Sequence, residues 1–242
     1  MNYFDIKKIK KEIITIDPKK WWGDDFDVRF FLISKIIKFE NKKILDAGGS
    51  IGIILSNMNQ NNKKINLDIS FEDLLISKNQ NKKNIENICA SMTNLPFREK
   101  YFDYVIAADI LEYAKENDLN NKESKYGFVS INKTVNEMYR VVKEKGTVFF
   151  TTPNNEYYKT EKLTYNELKN SIKLYFPEFK IFFFNTYPKL HEKYRKLNMA
   201  NTIPKLLSKI KKRESIINSL CKRKSQNNYS VSFYVEASKT IQ

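Results

Sequence analysis

Short apolar runs alternate with amphipathic stretches along most of the chain, the pattern of a sheet buried on both faces by helices. Strands are predicted at 42–47, 64–68, 85–89, 104–108, 147–152, 180–184 and 229–237. Helices are predicted between them at 51–60, 71–79 and 125–143, and after Thr164, which forms a capping box with Glu167. The alternation predicts an α/β fold with a doubly wound sheet.

Two segments stand outside this alternation. Residues 1–40 have a helical pattern, and residues 186–228 combine apolar positions at helical spacing with many lysines. We therefore expect an N-terminal helical cap at 1–40, a core at 41–185, a basic helical insertion at 186–228 and a last core strand within 229–242. Trp21, Trp22 and Arg29 in the cap are candidate pocket residues, and packing of their helix on the sheet is the alternative.

The break after the first strand is the first sign of function. It contains, in order, Asp46, Gly48, Gly49, Ser50 and Gly52. A glycine-rich turn between a strand and a helix allows the backbone and the N–H groups of the helix to approach a ligand. Asp68 ends the next strand 22 positions after Asp46. At about that spacing, a carboxylate accepts the ribose hydroxyls of a bound nucleoside.

Four motifs, in order, resemble those of the class I S-adenosylmethionine (SAM) methyltransferases. The turn, DAGGSIG, resembles their motif [DE]-x-G-x-G-x-G, with Ser50 in place of the middle glycine. Asp68, at the end of the second strand, stands where the family has an acidic residue. Residues 91–113, SMTNLPFREKYFDYVIAADILEY, and 139–154, YRVVKEKGTVFFTTPN, resemble two further family segments. The resemblance implies a Rossmann-like seven-stranded sheet with the last strand antiparallel, and SAM as cofactor. A nicotinamide cofactor is the alternative, but two of the three glycines in its fingerprint are missing.

The resemblance also implies which residues hold the cofactor. Asp68 would take the ribose hydroxyls, and Asp46 would position the turn and the amino acid part of SAM. For Asp46, capping of the following helix is an equal alternative. Ser91 stands where the family commonly has an aspartate that accepts from the adenine amino group. The cofactor-binding candidates are Asp46, Gly48, Gly49, Ser50, Gly52, Asp68, Ile69, Ser91, Met92 and Ala108.

The sequence leaves the catalytic group open. Methyl transfer from a sulfonium needs mainly alignment of the reacting atoms, and Tyr113 stands where family members often carry a histidine. Asp109 and Glu112 could orient an acceptor, or cap the next segment. His191, the only histidine, could act as a base near neutral pH, although a lone histidine is more often incidental.

Composition constrains the surroundings of the protein. The chain has 43 Lys and Arg against 28 Asp and Glu, and residues 186–242 account for ten of the 15 excess positive charges. Cys89 and Cys221 are far apart, so neither a zinc site nor a disulfide is expected. Apolar runs stay below the roughly 20 residues of a membrane span. We therefore expect a cytoplasmic protein without a bound metal.

The basic segment at 203–224 bears on the acceptor. Its pattern fits a peripheral membrane contact, a lid over an anionic substrate, an RNA-binding surface, or a solvated helix docked on the sheet. A target-base motif such as N-P-P-Y does not follow the fourth strand, where the chain has AADI. The sequence therefore favours a small-molecule or lipid-linked acceptor over RNA, and it leaves the oligomeric state open.

Overall fold

A computed structural model describes the core of the protein. The described residues are 40–112 apart from 57, 59 and 81–83, together with 131–153, 163–184, 221–222 and 232–239. The predicted helical cap, apart from Glu40, and most of the basic insertion lie outside these residues. So do five residues named above: Trp21, Trp22, Arg29, Tyr113 and His191.

The described strands form one mixed sheet. In chain order they are β1 (Lys43–Ala47), β2 (Lys63–Asp68), β3 (Ile85–Cys89), β4 (Phe102–Ala108), β5 (Val142–Pro153), β6 (Glu178–Phe184), β7 (Cys221–Lys222) and β8 (Ser232–Ser238). Their order across the sheet is β3-β2-β1-β4-β5-β8-β6-β7. Strands β1 to β5 pair in parallel, and β8 is antiparallel to both β5 and β6. The predicted seven-stranded sheet with an antiparallel last strand is confirmed, and the two-residue β7 adds to its outer edge.

Helices flank the sheet. Those with described bounds are α1 (Ile53–Ser56), α2 (Phe71–Gln80), α3 (Ile131–Val141) and α4 (Tyr165–Lys173). The predicted capping box is present at the start of α4, where the Thr164 hydroxyl accepts from the Glu167 N–H and the Glu167 carboxylate accepts from the Thr164 N–H. These two bonds satisfy backbone donors that have no partner within the helix.

The central strands are buried on both faces, as their continuous apolar runs predict. Ile44, Leu45, Val105 and Phe150 have no exposed surface. Full burial of an apolar side chain of this size contributes about 1.5–3 kcal/mol. The middle of the sheet is therefore a firm platform for the turns that follow its strands.

Helix α1 ends at Ser56, well short of the predicted residue 60. The Ser56 hydroxyl donates to the Ile53 carbonyl at 2.7 Å, and the buried Lys64 ammonium donates to the Leu55 carbonyl at 3.2 Å. The Leu55 carbonyl also accepts from the Met58 N–H at 3.2 Å, a bond that spans one residue fewer than the bond of an α-helix.

Strand β5 begins at Val142 rather than at the predicted Thr147, and α3 ends just before it at Val141. Val142 pairs with Phe102, and the chain bulges out before Thr147 pairs with Tyr104. The polar sequence KEKG therefore turns within the strand and not ahead of it, because backbone pairing with β4 continues on both sides of the bulge.

The short strand β7 lies in the segment 203–224, for which the sequence predicts a basic helix. Cys221 and Lys222 are extended and pair with Phe184 and Phe183 of β6. The helix prediction is wrong at these two residues, because an edge strand offers unpaired N–H and C=O groups that an extended segment can satisfy. Within the described ranges, no helix is long and apolar enough to cross a membrane.

Candidate cofactor site

The carboxyl ends of parallel strands β1, β2 and β4 meet at one edge of the sheet, where ligands bind in folds of this kind. A cleft that is open to solvent lies at this edge. Its lining consists of Asp46, Gly48, Gly49, Ile51, Ile53, Ile54 and Ala108. The structure thus brings together four of the predicted cofactor residues, from the ends of β1 and β4, in one cleft.

Glycine gives the predicted turn its backbone geometry. Gly48 and Gly52 have φ angles of 77° and 73°, which residues with a Cβ rarely adopt. The N–H groups of Gly48 and Gly49 both donate to the Leu67 carbonyl, at 2.7 and 3.1 Å, and so tie the turn to β2. A Cβ on Gly48 would collide with Cγ2 of Ile110. The turn therefore lies tightly against the segment that follows β4.

Ser50 replaces the middle glycine of the motif and still takes a left-handed φ of 47°. Its N–H donates to the Asp68 carboxylate at 2.8 Å, and its carbonyl accepts from the Asn66 amide at 2.9 Å. Its hydroxyl donates to the Asp73 carboxylate at 2.5 Å. A non-glycine residue persists in such a conformation where its surroundings over-determine it. The three bonds preserve the shape of the turn without the glycine.

Asp68 ends β2 with its carboxylate held at both oxygens. The N–H groups of Ser50 and Ser70 donate to Oδ2 and Oδ1, at 2.8 and 2.9 Å. Burial raises the pKa of Asp68, and these two donors oppose the rise. Each carboxylate oxygen has a second lone pair. The group can therefore accept a pair of hydroxyls, as its predicted ribose role requires.

Asp46 is completely buried at the end of β1. Within the described part of the chain, neither of its carboxylate oxygens accepts a hydrogen bond. The alternative role as a helix cap is therefore wrong, because a capping carboxylate accepts backbone N–H groups. Burial, and secondly the charge of Asp68, raise the pKa of Asp46 to about 8. A buried carboxyl without a partner, beside a cleft, is suited to a cationic group of a ligand.

Apolar surface is exposed beside Asp68. Ile69 and Phe71 are 40% and 51% exposed, and an aromatic base could cover such surface. Ser91 follows β3, and its hydroxyl pairs with the Thr93 hydroxyl at 2.8 Å, while Met92 packs against the core. The adenine roles of Ile69, Ser91 and Met92 stay predictions. Sequence reasoning missed Phe71, whose only signal is an apolar side chain at the predicted start of a helix.

Two charged residues of α3 hold the segment that carries Ser91 and Met92. The Arg140 guanidinium donates to the carbonyls of Leu95 and Phe97 at 2.9 and 2.7 Å, and it also pairs with Glu137. Glu137 in turn accepts from the Leu95 N–H at 2.7 Å. Arg140 belongs to the YRVV segment of the last family motif, but its loop partners are more than 40 positions away in the chain. The sequence therefore could not indicate this contact.

The candidates for orienting an acceptor follow β4. Asp109 has a left-handed φ of 57°, its N–H donates to the Thr151 carbonyl at 2.8 Å, and its carboxylate accepts from the Thr151 hydroxyl at 3.1 Å. These bonds fix Asp109 against β5, one residue after Ala108 of the cleft lining. Glu112 is partly buried nearby in sequence, and His191 lies outside the described residues. The catalytic roles of all three stay predictions.

Comparison with known proteins adds a family model and one relative. The model, described as a methyltransferase domain, matches residues 45–150, from β1 into β5. An uncharacterized protein of Methanocaldococcus jannaschii is 30% identical over 166 residues. The match covers 62% of this chain and 64% of the relative, so it spans less than two thirds of either protein.

Solved structures share the fold. One is a SAM-dependent methyltransferase of Thermotoga maritima, described as a possible histamine N-methyltransferase. It is 14% identical, with 92% of this chain and 94% of that chain covered and a TM-score of 0.54. Another is phosphoethanolamine N-methyltransferase 2 of Haemonchus contortus in complex with S-adenosyl-L-methionine. It is 15% identical, with 90% of this chain and 53% of that chain covered and a TM-score of 0.57.

At these identities the solved structures show the fold alone, and the family model adds the match to the segment that contains the glycine turn and Asp68. The motifs, the strand order and the family model agree. Residues 45–150 thus match a methyltransferase domain, and the fold is one that the chain shares with solved SAM-dependent methyltransferases.

Proposed function

We propose that this protein transfers a methyl group from SAM to a small-molecule or lipid-linked acceptor. The observation that carries the SAM part is the buried Asp46 carboxyl, which lines the cleft without a hydrogen-bond partner among the described residues. Asp68 stands at the neighbouring strand end with lone pairs for two hydroxyls. Carboxyl groups of this kind match a ligand with a ribose and a positively charged end.

The charge of the cleft distinguishes SAM from a dinucleotide. SAM carries a sulfonium and an ammonium, whereas a dinucleotide brings two phosphate charges to the glycine turn. Among the described residues that line the cleft, none is a lysine or an arginine, and Asp46 is one of them. Asp68 close to the turn, and Asp46 once it is ionised, would repel phosphates and attract cations. This argument supports SAM over a nicotinamide cofactor.

The leaving group of the reaction needs no proton, whereas a hydroxyl or ammonium acceptor must give up its proton to a base. When bound, SAM supplies an electrophilic methyl group on a sulfonium, whose sulfur departs without a proton. Alignment of an acceptor can then account for most of the rate enhancement. Asp109, which directly follows the cleft-lining Ala108 and is fixed to Thr151, is a candidate to hold the acceptor in place.

The acceptor class is supported by the residues at the end of β4. Residues 107–110 read AADI, and this sequence lacks the aromatic ring and prolines with which N-P-P-Y holds a target base. The two solved relatives described above carry names that refer to histamine and phosphoethanolamine, which are small amines, and they support the proposal by analogy of fold only. An RNA methyltransferase is the second candidate, because residues 186–242 hold ten of the 15 excess positive charges.

The test has two stages. Calorimetry should first show that the protein binds SAM and that NADH binds far more weakly. The protein is then incubated with methyl-labelled SAM and a cell extract, and the label is followed. Label in small solutes or in the organic phase supports the proposal. Label in the organic phase would favour a peripheral membrane contact through residues 203–224, which sedimentation with anionic vesicles can test.

Label that ribonuclease destroys would establish the RNA alternative instead. In that case binding to RNA should weaken steeply with salt, because phosphate contacts release counterions. A protein that binds SAM and labels nothing would be a binding module without transferase activity.

A further inference from the structure

We infer that Asp73 is a positioning residue of the cofactor site. It holds Ser50, and through Ser50 it keeps the ribose-binding carboxylate of Asp68 in place before the cofactor arrives. The inference rests on the proposed binding of SAM. It also explains why a serine serves at a position where the family motif has glycine.

The geometry is a closed ring of four hydrogen bonds, called here the Ser50–Asp73 ring. The Ser50 N–H donates to Asp68 at 2.8 Å, and the Ser70 N–H donates to the other Asp68 oxygen at 2.9 Å. The Asp73 N–H donates to the Ser70 hydroxyl at 3.2 Å, and the Ser50 hydroxyl donates to Asp73 at 2.5 Å. The ring joins the turn after β1, the end of β2 and the first turn of α2.

The bond between Ser50 and Asp73 depends on the serine. A glycine at this position, as in the family motif, has no hydroxyl and could not form it. Ser50 is only 7% exposed, so water competes little for its hydroxyl. Hydrogen bonds to an ionised acceptor are among the stronger kinds in proteins. This bond offsets the unfavourable φ of 47° at Ser50.

The consequence concerns the ordering of the site. With the ring closed, the turn and Asp68 are held together before a ligand binds, so less conformational freedom is lost on binding. Ser50→Gly restores the glycine of the family motif but removes the bond to Asp73. We therefore expect that Ser50→Gly weakens SAM binding, by about tenfold if a large part of one charged hydrogen bond is lost.

The substitutions at Asp73 separate positioning from charge. Asp73→Ala removes the acceptor and should weaken SAM binding by a similar factor of about ten. Asp73→Asn keeps an acceptor oxygen and should recover most of the affinity. Glu72→Ala is the matched control, because Glu72 is an exposed acid in the same first turn of α2 and has no place in the ring.

The experiment is a double-mutant cycle measured by calorimetry with SAM, using wild type, Ser50→Gly, Asp73→Ala and the double variant. The double variant should bind about as weakly as either single variant, since both break the same bond. A second readout is the ratio of affinities for S-adenosylhomocysteine and its 2′-deoxy form. This ratio should fall in Ser50→Gly and Asp73→Ala. A less ordered Asp68 would discriminate less between the ligand with a 2′-hydroxyl and the ligand without one. A residue that only supports folding would leave the ratio unchanged.

The outcomes distinguish this inference from the proposed function. A wild-type protein that binds neither SAM nor S-adenosylhomocysteine overturns both. A wild-type protein that binds SAM, combined with a Ser50→Gly variant that binds it as tightly or more tightly, overturns the inference alone. If the losses of SAM affinity in Ser50→Gly and Asp73→Ala are fully additive in the double variant, the inference is also overturned. If Asp73→Ala does not fold, Ser50→Gly and Asp73→Asn decide the question.

Discussion

Replacing Asp46 by asparagine should stabilise the cofactor-free protein above neutral pH and weaken its binding of SAM. The asparagine side chain would keep the size and shape of the aspartate but could not ionise. In the wild type, the completely buried carboxyl keeps its proton up to about pH 8, whereas in the unfolded chain it ionises with the ordinary pKa of 3.8, so the folded state loses stability as the pH rises. The variant is spared that cost, and it also lacks the negative charge that the cationic end of SAM would meet.

The magnitude can be worked from the pKa of Asp46, which is raised from 3.8 to about 8 in the folded protein, first by burial and then by the charge of Asp68. A raised carboxyl pKa gives stability that is fully present below the unfolded value and is lost as the pH rises through the folded value. At about 1.4 kcal/mol per pKa unit, the wild type should lose on the order of 4 kcal/mol between pH 5 and pH 9. Asp46→Asn should not show this loss.

The assay is urea denaturation of both proteins at several pH values without SAM, from which the difference in free energy of unfolding is taken. The difference should grow in favour of Asp46→Asn as the pH rises. Asp103→Asn is the matched control. Burial raises the pKa of Asp103, but the bonds from the Lys43 N–H and the Lys143 ammonium outweigh burial and keep this pKa below its ordinary value. The effect of Asp103→Asn on the free energy of unfolding should therefore be constant above pH 5. An Asp46→Asn difference that is the same at pH 5 and pH 9 would refute the reasoning.

Three further substitutions test the cleft and its supports. Asp68→Ala should weaken SAM binding by about 10- to 150-fold, since it removes a charged hydrogen-bond acceptor, and unchanged affinity by calorimetry would contradict the ribose role. Gly48→Ala should lower the free energy of unfolding by about 1–3 kcal/mol or more, because its φ is 77° and its Cβ would meet Ile110. An unchanged thermal midpoint would count against this account of the turn. Arg140→Met should lower the free energy of unfolding by about 2–4 kcal/mol and speed proteolysis at residues 91–101. A loop that resists proteolysis as well as it does in the wild type would show that α3 does not hold it.

The sequence predicted strands β1, β2 and β4 well, because burial dictates their apolar runs directly. Strand β3 has the predicted bounds, and β1, β2 and β6 differ by one or two residues. The glycine turn and Asp68 were also predictable, since their chemistry depends on residue types at a fixed spacing within one β-α-β unit. These features are local in the chain.

The features that the sequence did not predict depend on partners far along the chain. Asn66 bonds the Ser50 carbonyl from the neighbouring strand, and Arg140 reaches carbonyls 43 and 45 positions away. The early start of β5 at Val142 depends on pairing with Phe102. One signal was available, because Asn66 is a polar residue between the buried Ile65 and Leu67. Such a residue needs partners, and it marks where they converge.

The place of β8 in the sheet has a consequence for biosynthesis. In the described sheet, β8 lies between β5 and β6, and β6 has no direct pairing with β5. While the chain leaves the ribosome, β6 emerges well before the strand that connects it to the rest of the sheet. A nascent chain that ends before Ser232 therefore presents an open edge at β5, to which chaperones can bind. A synthetic peptide that spans Ser232–Ser238 could close that edge by fragment complementation.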